Sequence, residues 1–257
     1  MDLGLKGRRV LITGGSKGIG FAIAEMLAAE GCRLVLTARD EKALKAAKDK
    51  LNTQYPGIEV VTHAADLSKE PATRELAEKF PDIDVLVNNA GAIRTGALHE
   101  IDDPTWRSYW DLKVYGYINM TRNYYALMKQ RRSGVIINII GVAGERLRPD
   151  YIAGSTGNAS LIAFTRAMGQ ESARDNVRVV GVNPGPVLTE KLMLSLRKTA
   201  QTKFGDPEQW EELIKTMPFG RPIRPVEISA MVALLASDLS GYTTGTVITI
   251  DGGGHKR

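Results

Sequence analysis

Val10-Leu11-Ile12-Thr13-Gly14-Gly15-Ser16-Lys17-Gly18-Ile19-Gly20 is an apolar run that breaks into glycines and passes into an alanine-rich stretch ending near Ala29. A short β-branched run reads as a buried strand, and the stretch after it as a helix. Glycines between the two let the chain turn sharply and bring backbone N–H groups against an anion at the helix N-terminus, where the helix dipole favours negative charge. The stretch therefore predicts a strand, a turn and a helix built around a pyrophosphate, with Gly14, Ser16, Lys17, Gly18, Ile19 and Gly20 against a dinucleotide. The glycine spacing differs from the simpler G-x-G-x-x-G, so the flanking strand and helix carry much of this reading.

Outward from this stretch, short apolar runs alternate with longer amphipathic ones. Strands are predicted over 9–13, 34–37, 59–63, 85–87, 135–140, 177–182 and 246–251, and helices over 18–29, 41–51, 71–80, 104–130 and 155–172. Asp103 before Pro104 reads as the N-cap of the long helix. This alternation predicts an α/β chain: a single-domain Rossmann-like doubly wound parallel sheet of about seven strands, with helices on both faces. Residues 190–218 are helix-prone and fall outside the rhythm. They read as a small helical flap over the cleft at the strand ends, or as a surface-packed helical pair.

Composition narrows the class. The 257 residues are 43% hydrophobic and 25% charged, enough for a sizeable core, and no composition break divides residues 1–257 into separate domains. A net charge of +5 is modest and its basic residues are scattered, so no nucleic-acid surface is expected. The single cysteine, Cys32, fits a reducing compartment and a packing role, and no apolar run is long enough to span a bilayer. A cytoplasmic protein is expected. His63, His99 and His255 are widely separated and make no metal-ligand spacing.

The tip of the second strand, Leu36-Thr37-Ala38-Arg39-Asp40, selects between the nicotinamide cofactors. An arginine there pairs with a 2′-phosphate, whereas a carboxylate accepts from a free ribose hydroxyl. Arg39, with Lys17 as a second cation, favours NADP; Asp40 argues for NAD.

Taken with Ala65-Asp66-Leu67, Asn88-Asn89-Ala90-Gly91, Asn183-Pro184-Gly185 and Asp251-Gly252-Gly253, the loop from Thr13 to Gly20 resembles the short-chain dehydrogenase/reductase family in motif and in order. The resemblance covers essentially the whole chain. It implies that Asp66 and Leu67 contact adenine, that Asn89, Ala90 and Gly91 line the adenosine ribose side, and that Pro184, Gly185, Val187 and Thr189 hold the nicotinamide. Local capping near Ser68 is the other reading of Asp66. The resemblance also implies a homo-oligomer, a dimer or tetramer such as a homotetramer. Tyr115, Tyr117, Tyr124 and Tyr125 on the long helix are then packing or interface residues.

The same resemblance implies a catalytic tetrad of asparagine, serine, tyrosine and lysine, and this chain departs from it at every position. Counted from the anchors Ile137-Asn138-Ile139-Ile140 and Leu161-Ile162-Ala163-Phe164, the serine position is Gly141, the tyrosine position Gly154 and the lysine position Asn158. Counted from Trp106, the asparagine position is Lys113. Lysine and asparagine thus stand exchanged, and if they face one another across the cleft the exchange returns an ammonium and an amide to one neighbourhood. The other reading sends Lys113 to solvent or to a carboxylate such as Asp111. Tyr151 is the replacement acid to consider, but one helical turn before Gly154 its hydroxyl is displaced by about 5 Å. It either touches substrate or packs.

Lys113, Tyr151 and Asn158 are therefore the candidate catalytic residues. Two functions follow: an NADP-dependent oxidoreductase of a carbonyl or alcohol with a non-standard proton relay, or a catalytically inactive NAD(P)-binding sensor or supporting subunit. Leu192, Met193, Leu194 and Leu196 in the flap point to an apolar small-molecule substrate, or else to core.

Overall fold

Seven strands, β1 (Arg9–Thr13), β2 (Arg33–Ala38), β3 (Val60–Ala64), β4 (Val85–Asn88), β5 (Gly134–Ile139), β6 (Val177–Pro184) and β7 (Val247–Ile250), form one sheet in the order β3-β2-β1-β4-β5-β6-β7. Every pairing is parallel. The computed structural model describes residues 1–254, so the reading of His255 lies outside the described residues. The helices are α1 (Gly18–Ala29), α2 (Glu41–Gln54), α3 (Glu70–Lys79), α4 (Asp103–Trp110), α5 (Gly116–Arg131), α6 (Ile152–Ser172), α7 (Glu190–Phe204), α8 (Trp210–Ile214) and α9 (Pro225–Ala236).

Side chains alternate across a strand, and the two faces build two cores. Val10, Ile12, Leu34, Leu36, Val85 and Val87 pack with α1, α2 and α9, while Leu11, Val35, Leu86 and Ile136 pack with α3 and α5. Both faces being covered explains why the strands read as almost continuous apolar runs. The strand order reverses between β1 and β4, which opens a crevice at their C-terminal ends.

Buried polar bonds tie the site-bearing helices to this sheet. Asn88 Nδ2 donates to Asn138 Oδ1 (2.9 Å) and Thr121 Oγ1 (3.2 Å), and Asn138 Nδ2 donates to Thr165 Oγ1 (2.9 Å). Strands β4 and β5 are thereby joined to α5 and α6 where water cannot compete, so each bond is costly to leave unmade.

Several predicted boundaries move. The helix expected over 104–130 is α4 and α5 joined by a wide π-turn, Asp111–Tyr115, with Lys113 at its centre. Its N-cap is Asp102, whose carboxylate accepts from Thr105 N at 2.9 Å; Asp103 and Pro104 occupy the first helical positions. α6 begins at Ile152, three residues before its expected start, with Tyr151 as its N-cap residue. Residues 190–218 hold α7 and α8, and α9 is a further helix beyond the predicted set. It is started by Pro225 and by Glu227, whose carboxylate accepts from Arg224 N.

Close backbone approach fixes α6 against the sheet at Gly169, where a Cβ would overlap the Gly245 backbone and stand 2.9 Å from Val179 O. Gly169→Ala should cost about 2 kcal/mol of stability, since neither neighbour is a side chain that can move aside. Denaturant unfolding measures this, and an unchanged midpoint would mean that α6 can shift freely.

Candidate active site

A cleft of about 760 Å³ opens at the switch point between the ends of β1 and β4. Its floor is the glycine turn. A Cβ at Gly20 would overlap Gly14 O and stand 2.5 Å from Asn89 Nδ2, so the first turn of α1 presses directly on the loop. Asn89 braces that loop, donating to Thr13 O (2.9 Å) and Gly14 O (3.3 Å), while its own N–H and that of Ala90 donate to Thr13 Oγ1. Asn89 therefore holds β1 to β4 as well as facing the cleft.

At one end of the cleft stand Arg39 and Lys17, both exposed and neither ion-paired to any described residue. Asp40 also lines the cleft, and its Oδ1 accepts from Ala43 N (3.0 Å) as the cap of α2. Thr37 Oγ1, on the cleft wall at the tip of β2, is buried without a partner. An orphaned hydroxyl, two free cations and a helix N-terminus behind glycines suit an anionic dinucleotide.

Ser16, Gly18, Ile19, Leu67, Ala90, Gly91, Pro184, Gly185 and Thr189 also line the cleft, whereas Asp66 and Val187 do not. The Asp66 carboxylate accepts from Ser68 N and Oγ (3.2 and 2.9 Å), the local capping reading, and Val187 is turned into the core beside Ile223. Thr189 caps α7 through Leu192 N.

The three candidate catalytic side chains line the same cleft, each laid on a glycine. The Lys113 stem crosses Gly91, where a Cβ would stand 2.5 Å from Lys113 Cδ. The Asn158 amide occupies the space above Gly141: a Cβ there would be 2.9 Å from Nδ2, which donates to Gly141 O at 3.3 Å. Gly141 also adopts φ +131°, a conformation that favours glycine over serine. The Tyr151 ring covers Gly154 so closely that any side chain there would overlap it. As N-cap residue, with φ −141° and ψ 38°, Tyr151 escapes the backward tilt of helical side chains and reaches forward over the next turn. Its hydroxyl arrives 2.6 Å from where a Cβ at Gly154 would stand, at the root of the missing side chain and short of the tip that a tyrosine there would reach.

Lys113 points inward, not to solvent or to Asp111. It is 8% exposed, and its Nζ donates to Tyr117 Oη (2.9 Å) and Ile139 O (2.8 Å). Tyr117 in turn donates to Ile139 O (2.8 Å), so it can only accept from the amine. Burial pushes the Tyr117 phenol well above its ordinary range and keeps it neutral. Two positions of the tetrahedral nitrogen are thus taken by neutral oxygens and a third by Cε, leaving one for a proton or lone pair. Burial, and then the charge of Lys191, pull the Lys113 amine down to about 7. Tyr151 moves the other way: burial raises its phenol, with Arg148 opposing, and its hydroxyl has no hydrogen-bond partner among the described residues.

Other residues act behind these. Trp110 Nε1 donates to Ala153 O (3.1 Å) and pins the first turn of α6 to α4, and Tyr151 is bridged to Gly96. Tyr117 was legible only as packing, although its four-residue spacing from Lys113 was a usable signal. Tyr124 is buried packing, its hydroxyl donating to Leu76 O, and Tyr115 is exposed. Cys32 is buried and its thiol is pushed up to about 12 by burial, which suits packing over nucleophilic chemistry. Of the four apolar flap residues, Leu194 lines the cleft and Leu196 is buried; Glu190 and Lys191 also enter the cleft from α7. Among the described residues no helix is long and apolar enough to cross a membrane.

Comparison with known proteins gives the chain a family and agrees with its fold. Residues 8–201 match the family model of the short chain dehydrogenases. The chain is 32% identical to a 3-oxoacyl-[acyl-carrier-protein] reductase of Chlamydia muridarum, over 97% of this chain and 98% of the relative. It is also 32% identical to an acetoacetyl-CoA reductase of Allochromatium vinosum, over 96% and 98%. L-sorbose reductase of Gluconobacter frateurii, solved with NADPH and L-sorbose, superposes with a TM-score of 0.92 at 29% identity, covering 98% of each chain.

Desolvation of Lys113 has a consequence for stability. The amine titrates near 7 in the folded chain and near 10.5 unfolded, so the unfolded chain holds the extra proton between those values. Wild-type stability gains from rising pH across that window. The stability of Lys113→Met relative to wild type should be at its most favourable, and flat, below about pH 7 and should fall as pH rises toward 10.5. Urea unfolding of both proteins across pH tests this; a difference independent of pH would mean the amine is not desolvated.

Proposed function

The chain belongs to the short-chain dehydrogenase/reductase family, and from that premise we propose that it is an NADP-dependent oxidoreductase interconverting a carbonyl and an alcohol, with Lys113 exchanging the proton. The observation that carries this reading is the buried Lys113 side chain lining the cleft, its amine anchored by two neutral oxygens with one position left open and a proton affinity near neutrality. A general acid works best when its pKa lies near the operating pH, which favours Lys113 over the raised phenol of Tyr151.

The glycine turn with Ser16 and Ile19 would hold the pyrophosphate, Arg39 and Lys17 the 2′-phosphate, and Pro184, Gly185 and Thr189 the nicotinamide end. NADPH in the related L-sorbose reductase supports that choice of cofactor. When bound, the dinucleotide supplies or takes up the hydride. In reduction, protonated Lys113 gives its Nζ proton to the carbonyl oxygen as that oxygen becomes a hydroxyl. In oxidation, the neutral amine receives the hydroxyl proton through its lone pair. Tyr151 and Asn158 flank the reacting oxygen and orient it, and α7 with Leu194 forms a flap that limits water.

NADPH oxidation should be detectable by absorbance with some member of a ketone and aldehyde panel. Lys113→Met should lower the rate about a hundredfold or more, the scale of a lost proton donor, and Tyr151→Phe about tenfold. The reduction rate should fall as pH rises through about 7, and alcohol oxidation should rise over the same range. Tight NADPH binding with no turnover across the panel would favour the sensor reading instead. Arg39→Ala should weaken NADPH binding about tenfold and leave NADH unchanged, as loss of one charge-assisted pair requires.

A further inference from the structure

A second lysine enters the cleft beside the first. Lys191, in the first turn of α7, lines the same cavity as Lys113, Tyr151 and Asn158. Among the described residues it has no hydrogen bond or ion pair, and the partners of Lys113 are both neutral oxygens. Two carboxylates border the cleft, Asp40, which caps α2, and Glu190, and neither bonds to either lysine. Two cationic side chains facing one partly desolvated space repel each other, and each has its proton affinity lowered, Lys191 by desolvation and Lys113 by desolvation and then by Lys191. Neither lysine is ion-paired to any described residue.

We propose that the substrate carries a carboxylate that pairs with Lys191 while its carbonyl meets Lys113, so that the preferred substrates are oxo acids and not neutral ketones. This rests on the oxidoreductase reading above. Ile93, Ile140 and Leu194 supply apolar wall in the same cleft, so the fitting molecule is amphipathic. Pairing would also remove the charge that disfavours protonation of Lys113, and substrate binding would itself load the proton donor. The alternative source of an anion is the dinucleotide, because a Cβ at Gly18 would stand 3.6 Å from Thr189 Cγ2, which places the start of α7 beside the glycine turn.

Matched pairs separate these sources: α-, β- and γ-oxo acids and their methyl esters, titrated into the NADPH-loaded protein and followed by NADPH fluorescence, in wild type and Lys191→Met. At least one acid should bind wild type about tenfold more tightly than its ester, the ratio expected of one charge-assisted pair. Lys191→Met should erase that ratio and leave NADPH affinity unchanged. Acids and esters that bind alike to wild type would overturn the proposal. So would a Lys191→Met protein that loses NADPH affinity but keeps the preference for acids. Turnover of the same pairs keeps the two readings apart. Acids that bind through Lys191 without being reduced sustain the carboxylate site and count against the oxidoreductase. Esters bound and reduced as well as acids sustain the oxidoreductase and overturn the carboxylate site.

Discussion

A parallel sheet buried on both faces must send each connection back over a face, and this constraint places all seven strand ends on one edge. Everything functional in the molecule depends on it. The glycine turn after β1, Arg39 after β2, Asn89 to Gly91 after β4, Gly141 after β5 and Gly185 after β6 are far apart in sequence and share one cleft. Because the order reverses at β1 and β4, connections on either side diverge and leave the crevice open there. The buried bonds from Asn88 and Asn138 to Thr121 and Thr165 then hold α5 and α6 in register with those ends.

Within that frame the far end of the cleft is rebuilt by pairing bulk with its absence. Gly91, Gly141 and Gly154 each lie under a side chain from elsewhere, Lys113, Asn158 and Tyr151 respectively. Adding a side chain at any of the three would crowd the polar residue that lies over it. The π-turn at Asp111–Tyr115 places Lys113 at the break between α4 and α5, a local departure of the kind that recurs at functional sites. Tyr117 and the Ile139 carbonyl hold the amine from behind, and Trp110 holds the turn that carries Tyr151.

Electrostatics then separates the two proton-bearing groups that geometry brings together. Desolvation acts with opposite sign on an amine and a phenol, since it disfavours the charged form of each. Lys113 is moved toward neutrality and Tyr151 away from it. The same burial that makes the phenol a poor acid makes the ammonium a good one, and Lys191 strengthens the effect on Lys113 alone.

Much of this was legible in the residues themselves. Strand and helix alternation, the glycine turn and the order of the strand-end motifs depend on local periodicity and on the conformations glycine permits, and these act over a few residues. The departure at Lys113, Gly141, Gly154 and Asn158 could be counted from flanking anchors for the same reason. Other features depend on where distant groups arrive. Whether Asp40 faces a ribose or caps α2, whether Asp66 reaches adenine or Ser68, and whether Lys113 meets solvent or Ile139 all turn on competition between partners that sequence does not place. Tyr151 is the clearest case: its spacing from Gly154 argues that its hydroxyl falls short of a tyrosine's at that position, and the non-helical cap conformation together with the empty space over that glycine decides that its ring lies on Gly154 itself. Sequence by itself determined the strand, glycine turn and helix at the start of the chain and the glycines at 141 and 154, because these are read from neighbouring residues. Tertiary structure decided which side chains lie over those glycines, because empty volume and desolvation belong to a packed arrangement and not to any single residue.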